Sequence, residues 1–138
     1  MTYAIAASLQ KAIYRRLSDT AALRDIVDEA IYDAVPTGIL PPIYVTLGEE
    51  TVLDRSDKDA FGAWHDFTVS VIADQPGFHR AKQAAAMISD ALLAGQLDLD
   101  RGVLVGLWFL KAQARRAGKG DQRQIDLRFR AQVSDTMA

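Results

Sequence analysis

The chain changes its hydrophobic period once between residues 62 and 93, and that change limits the fold more than any other feature. From 63 to 74 the side chains alternate, with His65, Phe67, Val69, Val71 and Ala73 on one side and Asp66, Thr68, Ser70 and Asp74 on the other. A period of two describes a strand with one buried face. Gln75-Pro76-Gly77 ends it, because proline removes a ladder donor and glycine relaxes the backbone. Phe78, Ala81, Ala85, Ile88 and Leu92 then recur at spacings of three and four, a single apolar stripe on a helix closed by Gly95. A strand and a helix that each have one apolar side must cover each other, so the fold is a layer pair.

The flanking segments add to that pair. Ile5, Leu9, Ile13 and Leu17 predict an opening amphipathic helix, with Lys11, Arg15 and Arg16 outside. Leu23, Ile26 and Val27 predict a short second helix over residues 20–27, after the cap candidates Ser18 and Asp19. Residues 31–42 hold too much proline for a central element and read as a short extended piece and connector. Ile43, Val45 and Leu47 begin a strand that runs on to Leu53 through a bulge at Gly48, and it should pair antiparallel with the strand of residues 63–74. Residues 97–102 turn the chain. Val103 to Leu110 is apolar on both faces, so this strand is either central or has one face waiting for a partner. A hairpin tip at 117–121 leads to a last strand in which Ile125, Leu127, Phe129, Ala131 and Val133 alternate with polar residues. The expected architecture is α+β: one domain over 1–138, a mainly antiparallel four-stranded sheet with helices packed on it, in the order α-α-β-β-α-β-β.

Composition removes several classes of function. At 138 residues, 49% hydrophobic and 25% charged, the chain can bury a core without a staple. It has no cysteine, which excludes thiol catalysis, disulfides and cysteine zinc sites. A net charge of −2 argues against a surface built wholly for nucleic acid. Gln10 and Lys11 interrupt the apolar N-terminal stretch, which reads as neither a signal peptide nor a membrane span, so no membrane partner is expected.

No catalytic, cofactor or metal set emerges. His65 and His79 lack a second ligand at i+2 or i+4, and the Asp98-Leu99-Asp100 turn lacks the downstream glutamate of a calcium loop. Gly118-Lys119-Gly120 has neither the spacing nor the following helix of a phosphate loop. Charge placement says more. Glu49, Glu50, Asp54, Asp57 and Asp59 face only Arg55 and Lys58, a local balance of −3. Lys111, Arg115, Arg116, Lys119, Arg123, Arg128 and Arg130 face Asp121 and Asp126, a balance of +5. The plain reading is two solvated loops. The sharper one brings the acidic hairpin of one copy against the basic hairpin of the next, a head-to-tail contact that closes into a ring; a grip on DNA phosphates is a third. Trp64, Trp108 and Tyr44 are interface candidates if their strand faces lack a helix, and core residues otherwise.

Several segments together resemble the small tail-terminator (tail-completion) proteins of long-tailed phages and phage-derived gene transfer agents. They are Leu9-Gln10-Lys11-Ala12-Ile13-Tyr14, Ile31-Tyr32-Asp33-Ala34-Val35-Pro36, Pro42-Ile43-Tyr44-Val45, Trp64-His65-Asp66-Phe67-Thr68-Val69, the stretch from Gly77-Phe78 to Ala91-Leu92, and Leu127-Arg128-Phe129-Arg130-Ala131. Ile43 stands where an aromatic directly after the proline is expected. The resemblance implies a non-enzymatic structural protein without cofactors, made in the bacterial cytoplasm and carried in the assembled particle. Its implied form is a ring, six copies in expectation, on the head-proximal end of the tail tube. There it stops polymerisation and meets the head-tail connector protein, with tail tube protein on its other side and DNA passing through unbound. A head-side neck subunit, a small-ligand or enzymatic domain, and a DNA-binding module are the rival functions.

Overall fold

The computed structural model describes residues 3–56, 61–74, 78–116 and 122–135. Three helices, α1 (Ala6–Ser18), α2 (Ala21–Val27) and α3 (His79–Leu93), pack on a five-stranded sheet. The strands are β1 (Ile31–Tyr32), β2 (Ile43–Asp54), β3 (Phe61–Asp74), β4 (Val103–Arg116) and β5 (Gln122–Asp135), in the spatial order β1-β2-β3-β5-β4.

This corrects the expected four-stranded antiparallel sheet. The four long strands are antiparallel neighbours, but Ile31–Tyr32 joins β2 as a fifth, parallel strand, with Ile31 opposite Val45. Two residues are too short to show a period. What holds them is non-local: the Val45 N–H donates to the Ala30 carbonyl at 2.9 Å.

β3 and β5 take the centre because their alternation is the cleanest in the chain. Phe67, Val69 and Val71 on β3 lie opposite Phe129, Leu127 and Ile125 on β5, and all six are buried. The Phe67 and Phe129 rings stack at 5.5 Å. Ile5, Leu9, Ile13 and Leu17 of the first helical segment, Leu23 of α2, and Ala84, Ile88 and Leu92 of α3 close over this face in one continuous core. Burial of that apolar area is the main stabilising term of the layer pair.

Polar contacts fix how the helices sit. Arg16 of α1 donates to the Ala91 carbonyl at 2.9 Å and to the Gln96 carbonyl at 2.8 Å, satisfying acceptors at the C-terminal end of α3, which has no basic residue in its own last turn. Gly102 turns the chain into β4 at φ +78°, where an added Cβ would lie 2.6 Å from Ile5 Cδ1 and 2.9 Å from the Ser134 carbonyl oxygen. The expected bulge in β2 is present, as a register shift between Leu47 and Glu50. The expected strand break at 75–77 and hairpin tip at 117–121 lie outside the described residues.

Candidate interaction surface

Among the described residues no helix covers the second face of the sheet. It carries Trp64, Asp66, Thr68 and Ser70 of β3, Gln124, Asp126, Arg128 and Arg130 of β5, and Trp108, Lys111, Gln113 and Arg115 of β4. This face is concave: a depression of about 470 Å³ is lined from all four long strands, among them Thr46, Glu49, Thr68, Ser70, Lys111 and Asp126.

Two groups organise it. Arg130 donates from Nε and Nη2 to the two Asp66 carboxylate oxygens at 2.7 and 2.9 Å. The same guanidinium lies 5.3 Å from the Trp64 ring, which has Arg55 at 5.5 Å and Trp108 at 6.0 Å as its other neighbours. The hydrogen bonds from Arg130, more than its charge, hold the Asp66 carboxyl below its ordinary pKa. Further along, Asp126 accepts from Ser70 Oγ at 2.6 Å and from Gln124 at 2.8 Å, with Arg115 Nε at 3.5 Å. Burial would raise the Asp126 pKa; these hydrogen bonds and the Arg115 charge outweigh it and lower it.

The sheet edges are unlike each other. β4 is an edge strand, and Val103, Val105, Trp108, Phe109 and Leu110 are each between 44% and 57% exposed. From 108 to 116 every residue of β4 is exposed. The two-faced apolarity of this strand therefore belongs to an uncovered edge and not to a central position. On the opposite edge β1 pairs only with Val45 and Thr46. Among the described residues no strand pairs with residues 47–53 of β2 on that side, a stretch that carries Glu49 and Glu50.

The profile of "Tail completion protein gp17" matches residues 11–134. The chain belongs to the tail completion protein family. A solved chain in "Virion of native gene transfer agent (GTA) particle" is 56% identical to it, covers 96% of this chain and 99% of its own length, and superposes with a TM-score of 0.92. Compared with curated proteins, the sequence finds no match. The protein is thus a structural component of phage-type tails, as the resemblance implied.

The charged candidates of this tail completion protein separate by edge. Lys111, Arg115 and Arg116 are exposed on β4, while Glu49 and Asp54 are exposed on β2. Two strands lie between the groups. Glu50 is half-buried, accepting from Tyr3 Oη at 3.2 Å and lying 3.4 Å from Nδ1 of the fully buried His65. Arg123 departs from the expectation: it is buried on the helix-bearing face with its guanidinium 5.4 Å from the Phe78 ring, because its place in the β5 alternation turns it inward. Trp64 and Trp108 stand together on the helix-free face. Tyr44 is buried there against Ala30, Ile72, Tyr32 and Leu40. Asp57, Asp59 and Lys119 lie outside the described residues.

The sequence reading missed the Asp66–Arg130 and Arg101–Asp135 pairs, the latter bidentate at 3.1 and 2.8 Å. Their partners lie 64 and 34 residues apart, and no local pattern joins them. Among the described residues no cluster of three or more His, Cys, Asp or Glu could hold a metal ion, and no helix is long and apolar enough to cross a membrane.

Proposed function

We propose that this tail completion protein forms a closed ring, six copies in number, that caps the head-proximal end of the tail tube, stops its polymerisation and offers the head-tail connector a new surface. One observation carries the reading: a 14-residue edge strand, β4, on which Val103, Val105, Trp108, Phe109 and Leu110 are each 44–57% exposed. An edge of this kind invites association. Since the acidic edge lies on the other side of the same sheet, the contact that satisfies both is heterologous, and heterologous contacts close into rings or run on as filaments. A cap must close, because it has to bind the last ring of a repeating tube without presenting that surface again.

The helix-free face supports the DNA-transit part of the reading. It mixes Lys111, Arg115 and Arg128 with Glu49 and Asp126, so it offers no continuous basic track for phosphates to adhere to. No catalytic step is proposed for any of its residues.

Reversing Arg115, Arg116 and Lys119 to glutamate tests the basic edge. The expected outcome is weakened ring formation or tube docking, read by sedimentation, with an unchanged far-ultraviolet spectrum. Particles that assemble with tails of normal length and remain infectious or transfer-competent would show that the basic hairpin is no interface.

A further inference from the structure

We propose that the corner where the start of α3 meets the start of β5 is an oxyanion site, and that in the particle it receives a carboxylate of a neighbouring protein. The site belongs to the single chain and does not depend on the ring.

Arg123 is its centre. It is 6% exposed on the helix-bearing face, and its Nε and Nη1 have no hydrogen-bond partner. Arg101 and Arg130 each hold a carboxylate through the fork of Nε and Nη2. The fork of Arg123 holds none among the described residues. A buried charge left unpaired is costly, and a bound counter-ion is the simplest relief.

The guanidinium stands beside a helix end suited to the same ligand. It lies 5.4 Å from the ring of Phe78, the N-cap residue of α3. The Phe78 carbonyl accepts the Lys82 N–H at 2.7 Å, but no side chain caps the helix. The N–H groups of His79, Arg80 and Ala81 therefore have no acceptor within it. The first turn holds no acid and carries His79, Arg80 and Lys82, although the positive end of a helix favours anions.

Further cations converge there. Lys82 Nζ is 5.8 Å from the same Phe78 ring. Arg116 lies directly opposite Arg123 on β4, so the two share a face, and like charges so placed repel unless an anion joins them. No ion pair among the described residues involves Arg80, Lys82, Arg116 or Arg123. Asp74, at the adjacent end of β3, opposes Gln122 and turns to the helix-free face.

A buried fork is reached by a protruding two-oxygen group, which a carboxylate supplies. The backbone of a duplex instead makes serial contacts with exposed cations. The family is one of phage-type tail components, whose neighbours in a particle are proteins.

Nuclear magnetic resonance of the purified protein tests the site. Tetraglutamate is added at constant ionic strength, with inorganic phosphate in a parallel series. Tetraglutamate is expected to move the amide signals of residues 79–81 and the Arg123 Nε–H signal to a plateau. Arg123→Met is expected to abolish the response, and Lys82→Gln or Arg116→Gln to weaken affinity about two- to fivefold each. Signals that stay still in the native protein, or that move equally in Arg123→Met, overturn the site. A response to phosphate and none to tetraglutamate overturns the carboxylate assignment. Thermal unfolding gives a second measure. Because Arg123 is unpaired in the free protein, Arg123→Met is expected to raise its Tm by at least about 2 °C while removing the binding group. A lowered Tm would mean that the guanidinium is already satisfied within the chain, and overturns the proposal.

Discussion

Replacing Arg130 by methionine keeps most of its stem over Trp64 and removes the guanidinium that Asp66 accepts from at 2.7 and 2.9 Å. Asp66 is a buried residue and stays behind as a carboxylate without that partner. Hydrogen bonds to charged groups contribute about 1.5–3 kcal/mol each when buried. The Arg130 side chain is 37% exposed, so water replaces part of what is lost and the pair is discounted toward the surface range. The expected destabilisation is about 2 kcal/mol for Arg130→Met and about 1–2 kcal/mol for Asp66→Asn, with the double variant less than additive by about 1 kcal/mol. In a chain of 138 residues, 2 kcal/mol lowers Tm by roughly 6–10 °C. Urea unfolding followed by tryptophan fluorescence, at concentrations where the protein is monomeric, reads all three values.

The pH dependence gives an independent check on the same pair. The Asp66 carboxyl is held below its ordinary value of 3.8 in the folded state, chiefly by the hydrogen bonds from Arg130. A depressed folded pKa contributes stability that is complete above the unfolded value and is lost as the pH falls through the folded one. The advantage of the native protein over Asp66→Asn is therefore constant from pH 7 to about 5 and shrinks below about 4. Additive single variants, together with an advantage unchanged at pH 3, would refute the assignment of this stability to the pair.

Other perturbations follow from the same geometry. Gly102→Ala places a Cβ against Ile5 and the Ser134 carbonyl at φ +78°, and is expected to destabilise by at least about 2 kcal/mol in thermal unfolding. Phe129→Ala empties the centre of the core between Phe67 and Phe109, with an expected loss of about 3–5 kcal/mol in urea unfolding. Asp100→Asn breaks the solvated pair with Lys11, and should leave the thermal unfolding midpoint unchanged within error although that contact is 2.6 Å.

Much of this architecture was legible because its signals are local. The alternation of residues 63–74 and 124–133 identified the two strands that form the centre, and the three-four spacing from Phe78 to Leu92 identified α3. Gly48 marked the β2 bulge for the same reason: a single residue that breaks a regular run is visible without its partner. Strand order is not local. That β5 inserts between β3 and β4 depends on which apolar faces meet, and the sequence offered two meanings for the apolar 103–110 run until the edge position of β4 separated them. Arg123 lies buried among the exposed bases, which a charge count over residues 111–130 misses because it ignores side. Its odd-numbered neighbours Ile125 and Leu127 point inward, and so does Arg123. Arg130 points the other way in the same alternation, which is how it comes to meet Asp66. The ion pairs, joined across long separations, needed the fold before they could be seen.

The central claim, that the protein is complete only beside copies of itself at one end of a tube, is tested most directly by cryo-electron microscopy of the purified protein mixed with preassembled tail tubes. The expected image is one closed ring at a single end of each tube, with no second ring stacked on it and no further tube growth when tube subunits are added. Tubes with bare ends beside free monomers, or tubes that keep lengthening in the presence of saturating protein, would contradict it.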